Sequence, residues 1–296
     1  MRDTAAQPMA RPGKLAKNVP AYRRMAIILF ARRNESAVHF EEAVDVTDTL
    51  PWLERWNAKE GAPHLTFFQL LLFGLARTLH EHPRLNRFVA GRKLYQRDGV
   101  WLTFAAKKSL SPDSPLVEVK REFPEGETLE QFAEAMAARL REARSDELMK
   151  VDREVKFFLK IPHYILILLV RLIGTVDFFG LLPRSFIKDD PFFASAFLAN
   201  LGSVGGSAAF HHLYEYGDIP IFVTLGRVTD EVVVRDGQPA VRKIARLRIV
   251  YDERIEDGFN ALKAMITLRK LLETPESWAA TGKSASAAPA AEAASG

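Results

Sequence analysis

Tyr251-Asp252-Glu253-Arg254-Ile255-Glu256-Asp257-Gly258 joins two runs of different period. Before it, Val241 to Val250 alternates as a strand does; after it, Phe259 to Leu272 places its apolar residues at helical spacing. The stretch is therefore a strand-to-helix turn crowded with charge. Its charges admit two readings. Glu253 and Asp257 are partners for Arg254 or another cation at a strand end, or they belong to a working site.

Outward from this turn, Asp236-Gly237 marks a hairpin between Ile219–Val228 and the strand that leads into it, and Ala194–Leu201 reads as a further strand. In the first half, Ala37–Asp48 alternates, and Leu65–His82 reads as a buried helix closed by Pro83. Val100–Lys107 and Leu116–Phe123 are strands separated by turn residues Ser109 to Asp113. Thr128–Arg144 is a helix with a Thr128/Gln131 capping box and a stripe at Leu129, Phe132, Met136 and Leu140. Strands and helices mix without a repeat, which predicts the α+β class.

The chain has 296 residues, 48% of them hydrophobic, enough for one large core or two small ones. A net charge of +4 from 41 basic and 37 acidic residues is too small to argue for nucleic acid. With no cysteine, disulfides, thiolate metal sites and cysteine nucleophiles are excluded, and a reducing cytoplasm fits. Residues 1–20 are polar and proline-interrupted, without the apolar core of a signal peptide, and are expected to be a disordered basic arm. Arg2, Arg11, Lys14, Lys17, Arg23 and Arg24 make this end a solvated tail or a docking element for an acidic protein partner or a membrane. Residues 277–296 read as a disordered Ala/Ser/Pro tail, leaving 21–276 as the folded domain. Phe157–Leu182 is mostly apolar but interrupted by charge, proline and glycine, short of the roughly 20 residues of a membrane span. It is expected as a buried helical hairpin, an oligomer contact or a peripheral membrane contact.

Five islands, in order, resemble the catalytic domain of the 2-oxoacid dehydrogenase acyltransferases (dihydrolipoamide acyltransferases) and chloramphenicol acetyltransferase. Leu65–Asn86, with its His82-Pro83-Arg84-Leu85-Asn86 end, is similar to the family's long helix and corner. Gly91–Ala106 resembles the strand pair that follows, and Pro220–Gly226 a later strand. Asn200-Leu201-Gly202-Ser203-Val204-Gly205-Gly206 resembles the Ser-Asn-Leu-Gly-x-x-Gly turn, and Tyr251–Gly258 the Asp-His-Arg-x-x-Asp-Gly motif. The resemblance implies a two-layer sandwich in which helices cover a mixed sheet, and a homotrimer or larger symmetric assembly with sites between subunits. It also implies coenzyme A entering such a site, a histidine acting as general base, a serine stabilising the oxyanion, and an aspartate that fixes the turn. No lipoyl domain precedes the resemblance, which is expected of a divergent stand-alone relative.

The carry-over fails at both chemical positions. Arg254, Asp257 and Gly258 match, but Glu253 stands where the family has histidine and Ala199 where it has serine. A carboxylate with an ordinary pKa of about 4.3 is a poor base for a thiol near 8.5 unless burial raises it. Transfer would also need a substitute oxyanion donor, for which Ser203, Gly205 and Gly206 are the candidates; the same three are the expected coenzyme A contacts. The first expectation is a non-catalytic, trimer-forming scaffold, alone or assembled into a hollow cage; the alternative is an acyl-coenzyme A dependent transferase with Glu253 as base and Asp257 beside it. His211-His212 is either a packed loop or a rival catalytic pair, while the remaining histidines are isolated. No metal-ligand spacing is present, and Gly202–Gly206 lacks the features of a phosphate-binding loop.

Overall fold

The computed structural model describes residues 11–107, 116–142 and 160–279. Its strands are β1 (Gly13–Leu15), β2 (Ala37–Asp45), β3 (Arg87–Ala90), β4 (Lys93–Arg97), β5 (Val100–Lys107), β6 (Leu116–Phe123), β7 (Ala196–Asn200), β8 (Ile221–Arg235) and β9 (Gln238–Asp252). Its helices are α1 (Ala21–Leu29), α2 (Thr49–Asn57), α3 (Phe67–Glu81), α4 (Leu129–Glu142), α5 (His163–Phe178), α6 (Arg184–Asp189), α7 (Gly258–Glu273) and α8 (Glu276–Ala279). Six strands form one sheet in the order β2-β9-β8-β7-β5-β6, and three form a small sheet β1-β4-β3. In the large sheet β5, β7 and β8 run parallel and the other neighbours antiparallel, giving the mixed sheet expected of the α+β class.

Strand alternation assigns the two faces. Leu102, Phe104, Leu198, Val223, Leu247 and Ile249 point to the main core, which α3, α4 and α7 complete. Phe197, Phe222 and Val250 point the other way, into a smaller cluster with Leu213 and Tyr214 of the 207–220 loop. α3 is buried on nearly every side, and its start is fixed by a capping box missed in the sequence. Gln69 N–H donates to Thr66 Oγ1 at 3.2 Å, and Thr66 N–H to Gln69 Oε1 at 2.7 Å. The Thr128/Gln131 box does form, at 3.0 and 3.3 Å, and Leu129, Phe132 and Met136 are buried beneath it. The hairpin at Asp236-Gly237 also forms, with both residues at positive φ. Ser109 to Asp113, the end of the predicted Thr128–Arg144 helix and the side chain of Leu140 lie outside the described residues.

Four expectations need correction. Residues 11–20 are ordered: β1 pairs with β4, and Arg11 donates to Asp177 Oδ1 at 3.2 Å. Local composition reveals neither partner, because one lies about 80 and the other 166 residues away. At the other end, Ser277–Ala279 belongs to α8, and Trp278 is 3% exposed, stacked 5.5 Å from Phe73. An aromatic residue beside a polar tail found a core site that the tail's composition hid. β4 and β5, read as one strand pair, separate into different sheets, with β4 pairing instead to β3 and β1. The fourth concerns Phe157–Leu182. α5 has no buried residue, so it is not a hairpin buried within its own chain; only Ile173 and Val176 pack on the small cluster Leu182, Ile187 and Phe193. Phe157 to Leu159, residues 1–10 and residues 280–296 lie outside the described residues.

Two buried ion clusters hold the turn between β9 and α7. Glu256 is 0% exposed, with Oε1 accepting from Arg23 Nη2 at 3.0 Å and from the Asp257 N–H at 3.1 Å. Its Oε2 faces Arg84 Nε at 2.6 Å and Arg87 Nη1 at 3.3 Å. This one carboxylate thus joins α1, the corner after α3, and β3. On the other side Asp252 receives Arg254 through two bonds, Nε at 2.8 Å and Nη2 at 2.7 Å, and the Ser36 hydroxyl at 2.9 Å. Arg254 Nη1 also donates to Phe30 O at 2.9 Å, just past the end of α1.

Removing one partner of a buried pair strands the other, so Glu256→Ala is expected to cost about 3–5 kcal/mol in urea unfolding. Glu253→Ala, three residues away but exposed, should stay within about 0.5 kcal/mol; equal losses would contradict the clasp. A second prediction concerns Lys120, whose ammonium donates to Ile187 O at 2.8 Å and Asp190 O at 2.9 Å. Burial brings its pKa down from 10.5 to about 8. Between those values the folded chain binds fewer protons than the unfolded one, so this group's contribution to stability rises with pH across that window. Urea midpoints at pH 8 and 10.5 should show that part of the rise missing in Lys120→Met; identical slopes would contradict it.

Candidate functional site

Asp257 caps α7: its Oδ1 accepts from the Asn260 N–H at 3.0 Å, while Oδ2 lies 3.3 Å from Arg23 Nη2. The Asn260 hydrogen bond holds this carboxyl below its ordinary pKa against desolvation, and the charges of Arg23 and Arg84 add to it. Its work is to start a helix and pair with a buried cation.

Glu253 is placed differently. Its N–H donates to Ser36 O at 2.9 Å and its carbonyl accepts from Arg23 at 3.0 Å, so the main chain is fixed. The side chain is exposed, and among the described residues its carboxylate makes no hydrogen bond or ion pair. Arg254 is partnered by Asp252 and not by Glu253 or Asp257, so the simple ion-pair reading holds for Asp257 with Arg23 alone. Beside the turn, burial and the charges of Glu253 and Asp257 push the Tyr251 phenol up to about 12; its hydroxyl is buried with no hydrogen-bond partner among the described residues.

Ala199 lies half-buried in β7, level with Thr224 of β8. Its methyl offers no donor, and the Thr224 hydroxyl beside it donates to Ala209 O at 2.6 Å. The turn that follows uses its own donors. Ser203 N–H goes to Asn200 Oδ1 at 3.1 Å and the Ser203 hydroxyl to Asn200 O at 2.8 Å. Val204 and Gly206 N–H bond to Leu201 O at 3.1 and 2.9 Å, and Gly205 N–H to Gly202 O at 3.0 Å. Gly202 is required because a Cβ there would come within 2.6 Å of Gly226 O. Every amide from 203 to 206 is thus engaged in closing the turn, and this donor set does not fit the coenzyme A contact or the substitute oxyanion hole expected of Ser203, Gly205 and Gly206.

Register also separates the two motif positions. Ala199 is level with Thr224, and Thr224 with Arg248, so Glu253, just past the end of β9, lies five residues further on, roughly 16 Å along the strand direction and about 10 Å across it. Within one chain they cannot flank a single reacting atom.

The His211-His212 pair sits in a loop over the second sheet face. His211 stacks 4.0 Å from Phe222 and 4.5 Å from His212, and its Nδ1 donates to the His212 carbonyl at 2.7 Å. Arg33, buried, pins this loop by donating to the carbonyls of Tyr214, Glu215 and Gly217. Desolvation lowers the Arg33 pKa, against the charges of Asp252, Asp218 and Glu215. These contacts match the packed-loop reading.

Sequence reasoning missed Glu256, Asp252, Arg33 and the inward turn of Arg23. One signal was available: Arg23 stands four residues before Ile27, on the face of α1 that is buried. Among the described residues no group of three or more His, Cys, Asp or Glu is placed to hold a metal ion. No described helix is long and apolar enough to cross a membrane.

Residues 194–280 match the family described as 2-oxoacid dehydrogenases acyltransferase (catalytic domain). Over 83 residues the chain is 30% identical to the dihydrolipoyllysine-residue acetyltransferase component of the pyruvate dehydrogenase complex of Bacillus subtilis. That match takes in 28% of this chain and only 18% of the relative. Among solved structures, the cubic core of the pyruvate dehydrogenase multienzyme complex superposes with a TM-score of 0.58 at 21% identity, covering 88% of this chain and 93% of the other. The dihydrolipoamide acetyltransferase of Azotobacter vinelandii gives 0.57 at 22% identity, with the same coverage. A probable dihydrolipoamide acetyltransferase of Listeria monocytogenes gives 0.57 at 17%, covering 88% and 95%. Across most of its length the chain thus has the fold of the dihydrolipoamide acetyltransferase cores, and over residues 194–280 its sequence is similar to the 2-oxoacid dehydrogenase acyltransferase catalytic-domain family.

Proposed function

We propose that this protein is a structural subunit built on an acyltransferase fold, a symmetric trimer or a shell of such trimers, whose inherited transfer site carries out no transfer. One observation carries the reading: the two positions that the resemblance assigns to base and oxyanion donor hold Glu253 and Ala199, while the groups that could stand in for the donor are engaged within the 200–206 turn. A general base contributes about 10²- to 10⁴-fold and an oxyanion donor about 10²- to 10³-fold, so losing both removes up to roughly 10⁷-fold. No step through coenzyme A follows from this donor set.

The wide separation of Ala199 and Glu253 within one chain supports a site shared between copies. The relative described as a cubic core supports a symmetric assembly in the same direction. The framework that brings subunits together has its own reason to persist without chemistry, since the clasp around Glu256 fixes the surface on which Glu253 stands. A second reading keeps Glu253 as the base of an acyl-coenzyme A dependent transferase: its carboxylate is unengaged among the described residues, and a neighbouring copy would have to bury it to raise its pKa.

Light scattering on the purified protein should give three times the 33.3 kDa of one chain, or a multiple of that trimer. Acetyl transfer from acetyl-coenzyme A to dihydrolipoamide should stay at the background rate, and Glu253→Gln should change neither result. A monomer contradicts the structural reading. Transfer that falls about 100-fold or more in Glu253→Gln selects the enzyme instead. The double change Glu253→His with Ala199→Ser separates the two further, because a Glu253-based enzyme loses its activity while an emptied site gains some.

A further inference from the structure

We infer that α5 is the element through which one copy of this chain packs onto another. This rests on the symmetric-assembly reading and names the surface that the assembly uses. Tyr164 is 73% exposed, Leu168 66%, Val170 54% and Leu172 56%, with Ile165 and Leu169 also open to solvent. At about 100° per residue Tyr164, Ile165, Leu168, Leu169 and Leu172 share one broad face, while Val170 and the exposed Ile167 lie on the opposite side of the axis. A helix docked on one side needs only an apolar stripe, whereas one that is apolar all round is a helix whose whole circumference is meant to be covered. Among the described residues nothing covers it: α5 is attached near its C-terminal end, through Ile173 and Val176 and through Arg11 on Asp177 and Phe178.

A membrane fits poorly. The 16 residues of α5 reach about 24 Å, short of the roughly 30 Å of a bilayer core. Nor does α5 have the charged face with which an interfacial helix meets headgroups, because Arg171 is the one charged residue between Tyr164 and Val176. A second copy fits on three counts. With Phe178, Phe179 and Leu181, the exposed apolar surface is on the order of 1,000 Å², against about 800 Å² on each side of a stable interface. With Asp177 paired to Arg11, Arg171 is the one charge left on the helix, which lets identical helices approach without massed repulsion, and symmetry supplies neighbours on more than one side.

Gly174 adds a separate observation. Glycine inside a helix costs about 1 kcal/mol relative to alanine. Among the described residues nothing lies within 4 Å of a Cβ placed there, so no described contact demands it. It opens on a cleft of about 180 Å³ whose far wall includes Ala31, just past α1. Met25, Ile28 and Leu29 of α1 are exposed as well. The glycine leaves room for a side chain arriving from outside the chain.

The test compares the wild type with Leu168→Glu/Leu172→Glu. Both positions are exposed, so the melting temperature of the subunit fold should hold while light scattering falls to 33.3 kDa. The chain has no cysteine, so Leu168→Cys carries a single thiol, which a short bismaleimide should link between copies. An assembled wild type whose double variant keeps its mass, with no cross-link at position 168, overturns the role of α5 and leaves the assembly reading intact. A monomeric wild type overturns both. Flotation of such a monomer with phosphatidylcholine/phosphatidylserine vesicles, lost in the double variant, would assign α5 to a membrane surface instead.

Discussion

The buried carboxylate of Glu256 is the contact on which this structure turns. Three arginines from three elements meet it, and its neighbour Asp257 shares one of them while starting α7. Such a clasp is stabilising while complete, because Glu256 and Arg23 have left water and depend on the charges around them, whereas Arg84 stays half exposed. It fixes where β9 ends, where α7 begins and how α1 lies across both. The adjoining pair Asp252–Arg254 ties the same turn to the main chain after α1. The geometry of the motif is thus held by groups other than the two at which transfer chemistry would occur.

That division explains how a fold can keep a site's shape and lose its chemistry. Substitution at Glu253 touches no side-chain contact among the described residues, and Ala199 fills a place in an aromatic cluster that needs only a small apolar group. Changes at Glu256, Asp252, Arg23 or Gly202 would reach into the core or the backbone. Selection for a folded subunit alone would then preserve the second set and leave the first free to drift.

Much of the fold was legible in the sequence. Periodicity placed β5 and β6 at their observed bounds and α3, α4 and α7 within a few residues, because one face of each is set by the sheet beneath it. At the site, the sequence reading makes Asp257 a pairing partner and a turn-fixing aspartate, and its capping of α7 is added by the structure. The site was not legible where partners are distant. Arg23 and Glu256 are 233 residues apart, and nothing near either one announces the other. The same limit hid the ordering of Arg11 and Trp278. α5 differs for another reason: its apolarity left a buried hairpin, an oligomer contact and a membrane contact open, and with no residue of the helix buried among the described residues the first does not hold.

A single-particle cryo-electron microscopy map of the purified full-length protein tests the central claim most directly. The account predicts a particle with threefold symmetry in which Glu253 of one copy faces the Ala199 strand end of the next, across a space that no donor from the 203–206 turn reaches. A particle in which both positions face bulk solvent, or a population of single chains, would contradict it.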